Sequence, residues 1–141
     1  MKRLKVSEPG RRLRPSDFPA CSGGDMLIVS EAAREQLGKD LEHYGELLPL
    51  ACKEGNFWAL NVTRFVNALD ENASQLVRAS DTGAVLTIRK LVLMPAKLGE
   101  AELFKLPQTP RGLIYATRLF ADKVQRTGLR GLEFVQVWPP T

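Results

Sequence analysis

The sequence contains few of the residue types on which catalysis and metal binding usually depend. Its 141 residues include two cysteines and a single histidine, His43. A lone histidine near a helix end is more typical of a surface or capping residue than of a general base. Cys21, His43 and Cys52 are not spaced as in a zinc motif, and a fourth ligand is lacking. We therefore predict no metal site and no catalytic set.

Glycine-rich nucleotide motifs and long apolar runs are also missing. The sequence has no P-loop, dinucleotide fingerprint or EF-hand loop, so we predict no cofactor. No apolar run approaches the roughly 20 residues of a membrane helix, and no signal-peptide core follows the basic start. We expect a cytoplasmic protein with reduced thiols and no membrane contact, although a disulfide between Cys21 and Cys52 stays open.

Paired acidic residues, which can serve as an acid and a base, occur at two places. Asp70 adjoins Glu71, and Glu100 lies close to Glu102. Both pairs fall among turn-forming residues, so we expect solvated loop carboxylates and a protein that is not an enzyme.

The net charge of +4 comes from the first 20 residues. This segment holds six cations and two acids, whereas residues 21–141 hold fourteen of each. Such a segment can bind phosphates, and it is also typical of a solvated chain terminus. With three prolines and three glycines, residues 1–24 are predicted as a basic, extended lead-in with partial disorder. Residues 25–141 are predicted as a single α+β domain.

Residues 27–50 and 114–137 show the same order of patterns, offset by 87 positions. Each has a short apolar strand, a hydroxyl residue, an amphipathic helix and a return strand. Ser30 and Thr117 are the N-cap candidates, because a hydroxyl can accept a bond from the first helical turn. Gly38 weakens the first helix or ends it early. Duplication and similar patterning of two unrelated elements both explain the likeness.

The segment between the two units has the pattern of strands. Residues 57–62 favour one strand, and residues 75–79 and 84–93 favour a hairpin around Asp81-Thr82-Gly83. We therefore predict an α+β fold with a mixed or antiparallel sheet and two main helices. In it, two similar strand–helix–strand units flank a central β-hairpin.

Several stretches agree in order and spacing with one known family. Residues 25–37 resemble its strand-to-helix opening. Residues 60–62 and 67–70 resemble its central motif. Its C-terminal half is resembled by residues 103–107, 114–117 and 128–134. Through this agreement over about residues 14–137, the chain resembles the Imm11-type (DUF1629) immunity proteins of bacterial polymorphic toxin systems.

The resemblance implies an antidote that binds and neutralises a cognate toxin, encoded by the adjacent gene, without catalysis. Tight interfaces depend on a few aromatic or arginine anchors, so Trp58, Arg64 and Asp70, in or beside the central motif, are the candidate contacts. The alternative for these three is a core tryptophan and a local Arg–Asp pair that fixes a turn. Asn67 departs from the family pattern, which often has an acid there, and family members often carry a longer N-terminal region.

A second hypothesis, of a different class, is a small nucleic-acid-binding accessory domain. It uses the basic N-terminal segment for phosphates and Trp58 as a stacking platform. Stacking platforms usually have cations around them, and Lys53 alone supplies little of that charge. We therefore expect a protein partner rather than nucleic acid.

Overall fold

The computed structural model describes residues 2–6, 26–50 and 55–139. Within these ranges the chain forms two α-helices, nine strands and one 3-10 turn at Pro95–Lys97. In chain order they are β1 (Lys2–Val6), β2 (Leu27–Ser30), α1 (Glu31–Glu42), β3 (Gly45–Leu50), β4 (Phe57–Val62), β5 (Gln75–Arg78), β6 (Val85–Lys90), β7 (Leu103–Phe104), β8 (Tyr115–Ala116), α2 (Arg118–Thr127) and β9 (Leu132–Gln136). The predicted α+β class with two main helices is confirmed. Neither helix of the described ranges has the length and apolar character needed to cross a membrane.

The first strand–helix–strand unit comprises β2, α1 and β3. Strands β2 and β3 both pair antiparallel with β4, which lies between them in a three-stranded sheet. Ala33, Leu37 and Leu41 recur at helical spacing and are buried in one cluster with Leu27 and Leu60 of the sheet. Helix α1 therefore covers one face of this sheet.

Two small residues decide how α1 begins and how far it continues. Ser30 is its N-cap, and the Ser30 hydroxyl accepts a hydrogen bond from the Ala33 amide at 3.2 Å, as predicted. The helix continues through Gly38 to Glu42, so early termination, one of the two predicted effects of Gly38, is wrong. The apolar stripe on both sides of the glycine holds the helix in place despite its low propensity.

The second unit, β8–α2–β9, repeats this arrangement with a different third strand. Strands β8 and β9 both pair antiparallel with β1, which lies between them. The two helices begin at Glu31 and Arg118, which are 87 positions apart. The two return strands begin at Gly45 and Leu132, which are also 87 positions apart. The predicted pair of similar units is confirmed, and the matching strand order favours duplication.

Part of the predicted lead-in is an interior strand of the fold. Lys2–Val6 is extended, as predicted, but it pairs on both sides, with β8 and with β9, instead of preceding the domain. Local sequence patterns do not indicate this pairing, because the five residue pairs with β9 join positions more than a hundred residues apart. Residues 7–24, with their predicted disorder, lie outside the described residues.

Thr117 occupies the N-cap position of α2, but its side chain does not make the predicted capping bond. The Thr117 hydroxyl donates a hydrogen bond to the Ala101 carbonyl at 2.8 Å, and no cap bond forms. The prediction of a capping role is therefore wrong for this hydroxyl, which links α2 to the segment before β7.

Strands β7 and β8 separate two hydrophobic clusters. Leu103 and Ala116 belong to the cluster that contains the helix side chains, whereas Phe104 and Tyr115 belong to a second cluster, where their rings stack at 5.8 Å. Side chains of the β5–β6 hairpin pack against the second cluster. Since successive residues of a strand point to opposite faces, the hairpin and the helices lie on opposite sides of β7–β8. The predicted central hairpin is confirmed, and the strands form three separate antiparallel sheets.

Candidate partner-binding surface

Trp58, the aromatic candidate, lies at the border of the first hydrophobic cluster. Its ring is half-buried and packs against that cluster. The guanidinium carbon of Arg34, on α1, lies 4.6 Å from the ring centroid, a cation–π distance. One face of the indole is therefore occupied from within the chain, as the core interpretation of this residue implies.

Arg64 and Asp70, the charged candidates, are held by different contacts. Arg64 is exposed, and its backbone carbonyl accepts a hydrogen bond from the Lys105 amide at 2.9 Å. The Asp70 carboxylate accepts bonds from the amides of Asn72 at 3.1 Å and Ala73 at 3.0 Å, so it fixes the turn that follows it. In the described part of the chain no ion pair joins Arg64 to Asp70, which corrects the alternative of a local Arg–Asp pair.

A charged cluster links the two strand–helix–strand units. The Lys123 ammonium, on α2, lies 2.6 Å from the Glu102 carboxylate and 3.1 Å from the Asp40 carboxylate of α1. The Tyr44 hydroxyl donates a hydrogen bond to the other oxygen of Glu102. The Glu102 side chain is only 8% exposed, so the prediction of a solvated loop carboxylate is wrong at this position. Burial is tolerated because a cation and a hydroxyl satisfy both oxygens.

The pKa values of Tyr44 and Lys123 follow from burial and from their hydrogen bonds to Glu102. Burial first, and then the hydrogen bond to Glu102, raise the pKa of Tyr44 to about 12. The hydrogen bond to Glu102 also raises the pKa of Lys123 above its usual value. Both groups therefore keep their protons at neutral pH and remain donors to Glu102. An exchange of protons, as acid–base catalysis needs, is disfavoured here.

Metal ligands do not cluster in the described ranges. No group of three or more histidine, cysteine, aspartate or glutamate side chains is arranged there to hold an ion. His43 is the C-cap of α1. Cys21 and Cys52, and with them the open question of a disulfide, lie outside the described residues.

A groove of about 420 Å³ runs between β6 and the loop that precedes β8. One wall is Val85–Ile88, the other is the loop 108–113, and Tyr115 is also part of the lining. A strand presents only alternate side chains to any surface that lies on one of its faces. Four consecutive residues of β6 line the groove, and among the described residues β6 pairs with β5 alone, so the groove borders the side of β6 that has no strand partner.

Two bulges shape this edge of β6. The register with β5 shifts between Arg78↔Val85 and Val77↔Thr87, which leaves Leu86 without an opposite residue. Bulged residues often point away from the regular direction of the strand. The Leu86 side chain is 64% exposed, which is the highest value among the large hydrophobic residues of the described ranges.

The opposite wall is anchored by Gln108. Its side-chain amide donates hydrogen bonds to the Asn67 carbonyl oxygen at 3.0 Å and to the Glu71 carboxylate at 3.3 Å. Hydrogen bonds from Arg78 and Gln108 lower the pKa of Glu71. Asn67 takes part in this anchor as an acceptor, through its side-chain carbonyl oxygen.

Neither Leu86 nor the loop 108–113 is among the candidate contacts predicted from the sequence. A local signal was present, because Val85-Leu86 puts two apolar residues side by side and breaks the alternation of a half-buried strand. No local signal places the loop opposite the strand. The groove depends on a tertiary contact, whereas Trp58, Arg64 and Asp70 were selected by residue type and position.

Together these features describe a small α+β protein in which the buried charges serve structure and a strand edge borders an open groove. The profile of the immunity protein family Imm11 matches residues 51–138, more than half of the chain. The chain belongs to this immunity protein family, which confirms the resemblance. A search of curated proteins found no match.

Proposed function

We propose that this protein protects the bacterium that makes it by binding a cognate toxin directly, in the cytoplasm and without catalysis. The observation that carries the proposal is the family match over residues 51–138. An immunity protein needs a partner whose harmful activity it stops, and the gene next to its own is the first place to look for that partner.

The arrangement of the charged residues supports binding rather than chemistry. Glu102, Lys123 and Tyr44 satisfy one another between the two units and are not part of the groove. A complex of this kind buries about 1,200–2,000 Å² and gains most of its affinity from a few anchors. Exposed Arg64, next to Phe65 with 44% exposure, remains a proposed anchor. Trp58 and Asp70 remain proposed contacts that also have structural roles.

Co-expression with the product of the adjacent gene tests the proposal. We expect that gene product to be toxic alone, to be harmless with this protein, and to purify with it. If the neighbouring product is not toxic, or if this chain neither protects nor co-purifies, the proposal fails.

A titration of toxin activity separates binding from catalytic detoxification. A stoichiometric binder abolishes activity when the two proteins reach equal amounts, whatever the incubation time. An enzyme would instead inactivate a molar excess of toxin, and the loss of toxin activity would increase with incubation time. Loss of activity at a small fraction of the toxin concentration would therefore contradict a binding mechanism.

The nucleic-acid alternative gains no support from the described residues. Lys2–Val6, the first part of the basic segment, is a paired interior strand, and Arg34 occupies one face of the Trp58 ring. A salt titration addresses it directly, because phosphate contacts make affinity fall steeply with salt. Because residues 2–6 form an interior strand, the cations are removed by substitution rather than by deletion. Binding of nucleic acid that falls with salt in this way, and that is lost when Arg11, Arg12 and Arg14 are replaced by glutamine, would reinstate the alternative.

A further inference from the structure

The outer edge of β6 has no strand partner among the described residues, so its backbone groups are a candidate row of hydrogen-bonding sites for a partner. Within residues 2–6, 26–50 and 55–139, strand β6 pairs with β5 alone, in a two-stranded sheet. In the described part of the chain no backbone hydrogen bond crosses the groove from residues 85–90 to the loop 108–113. An exposed strand edge of this kind is a template for an added strand.

The groove along this edge has room and apolar contact for such a strand. Its volume of about 420 Å³ lies directly beside four consecutive β6 residues. Leu86 lies at the bulge and lines the groove, and Leu113 and Tyr115 are further apolar lining residues. Main-chain bonds give affinity in strand addition, and pockets for alternate side chains give specificity.

Exposed cations on β6 and on the facing loop indicate the charge of a suitable partner. Arg89 and Lys90 of β6 and Arg111 of the facing loop are exposed, and in the described part of the chain no carboxylate forms an ion pair with them. The nearby Arg78 is already paired with Glu71 at 2.6 Å. Three cations without local partners favour a segment that carries acidic side chains.

We propose that the toxin docks by adding an extended, acidic segment to the edge of β6, with Leu86 as the apolar anchor. The inference rests on the proposed immunity function and identifies the surface that carries it. The segment lies between β6 and the loop 108–113, forms the third strand of the hairpin sheet, and places its carboxylates near Arg89, Lys90 and Arg111.

Hydrogen exchange of the full-length protein, alone and with the neighbouring toxin, tests strand addition itself. We expect the amides of residues 85–90 to become protected in the complex, because those that face the groove gain partners. A complex in which residues 85–90 exchange as in the free protein overturns the inference and leaves the immunity function standing. Protection of β3 instead, where Leu48 and Leu50 are exposed, would also overturn it.

Two matched pairs of variants test the side chains. Leu86→Ala should weaken toxin binding by about tenfold or more, whereas Leu119→Ala, on α2 and 51% exposed, should change it by less than about threefold. Equal effects of the two variants would contradict the assignment. Both leucines are exposed, so neither truncation should impair folding.

Charge reversal gives the second pair. Arg89→Glu with Arg111→Glu should weaken binding by about tenfold or more and reduce its salt dependence. Arg118→Glu with Arg126→Glu changes the net charge equally on exposed positions of α2 and should leave binding within about threefold. If no complex forms even with the unaltered protein, the immunity proposal fails rather than the surface assignment.

Discussion

The Lys123 ammonium lies 2.6 Å from the Glu102 carboxylate, at the place where the two strand–helix–strand units meet. Lys123 belongs to α2, and its second contact, at 3.1 Å, is with Asp40 on α1. Helices from both units also contribute to one hydrophobic cluster. The two similar units are therefore joined by apolar packing and by a charged bridge, and neither provides a separate core.

Breaking this bridge from its two ends should have unequal effects on the free energy of unfolding. Lys123→Met leaves the buried Glu102 carboxylate without its cation and should lower the free energy of unfolding by about 3 kcal/mol. This value is at the lower end of the range for breaking a buried ion pair, because Lys123 is 35% exposed. Glu102→Gln leaves Lys123 beside Asp40 and should cost about 1.5 kcal/mol. Urea unfolding of both variants measures the difference.

The double variant provides the control for this comparison. Lys123→Met combined with Glu102→Gln should cost less than the sum of the two, because a neutral glutamine is cheaper to bury without a cation. Additive losses would mean that Lys123 and Glu102 do not interact in solution.

Alkaline pH should destabilise the protein through Tyr44 and Lys123. Both groups have a higher pKa in the folded chain, Tyr44 at about 12 against about 10 when unfolded. The folded state therefore holds protons that the unfolded state has released. The contribution of Tyr44 is complete below about pH 10 and is lost as pH rises towards 12, and the raised pKa of Lys123 acts in the same direction. Thermal unfolding across this range should show a falling transition temperature, with a smaller fall in Tyr44→Phe.

The same pKa can be measured directly by tyrosinate absorbance. The sequence has two tyrosines, so Tyr115→Phe leaves Tyr44 as the one that titrates. We expect a midpoint near 12, which falls in part when Glu102→Gln is added, because burial is the larger cause and persists. A midpoint of about 10 in the folded Tyr115→Phe variant would show that the Tyr44–Glu102 contact does not exist in solution.

Two glycines should respond in opposite directions to replacement by alanine. A β-carbon at Gly45 would lie 2.0 Å from the Asn61 carbonyl oxygen on β4, so Gly45→Ala must move backbone and should cost about 3 kcal/mol. At Gly38 the nearest atom is the Arg34 Cγ at 3.6 Å, an ordinary contact. Gly38→Ala should therefore stabilise α1 by about 0.5–1 kcal/mol. Thermal unfolding of the two variants tests the close approach of β3 to β4, and equal shifts would contradict it.

Removal of the hydroxyl at each of the two N-cap positions should destabilise a different part of the structure. Ser30→Ala removes a capping bond and should cost about 1 kcal/mol, mainly as fraying of the first turn of α1. Thr117→Val keeps the shape but removes the donor to the Ala101 carbonyl, with a similar cost of about 1 kcal/mol. Hydrogen exchange should then rise around residue 101 more than at the start of α2, and the reverse pattern would indicate a capping role after all.

Local patterns were sufficient to predict both helices and most strands. The apolar stripe of α1 and the turn Asp81-Thr82-Gly83 are encoded within a few residues, and the structure confirms both. Strand β1 was not assigned to the fold, because its cations suggested a solvated terminus and its pairing partners lie more than a hundred residues away. Buried Glu102 was misjudged for the same reason, since Lys123 and Tyr44 come from other elements.

The groove could not be predicted from the sequence for a related reason. Its walls meet through tertiary contacts, among them the Gln108 side chain that fastens the loop to Asn67 and Glu71. The candidate contacts Arg64, Asp70 and Trp58 were therefore selected by residue type and position, and they remain predictions for mutagenesis. Arg64→Ala is the cleanest of these, because the side chain is exposed and its loss should leave stability unchanged.

The central claim, neutralisation by direct binding, is tested most directly by titrating the purified protein into the product of the adjacent gene while toxin activity is recorded. The account predicts a linear loss of activity that ends at equal amounts of the two proteins, independent of incubation time, with a stable complex at the end point. Unchanged toxin activity at excess protein, or complete loss at a small fraction of the toxin concentration, would contradict it.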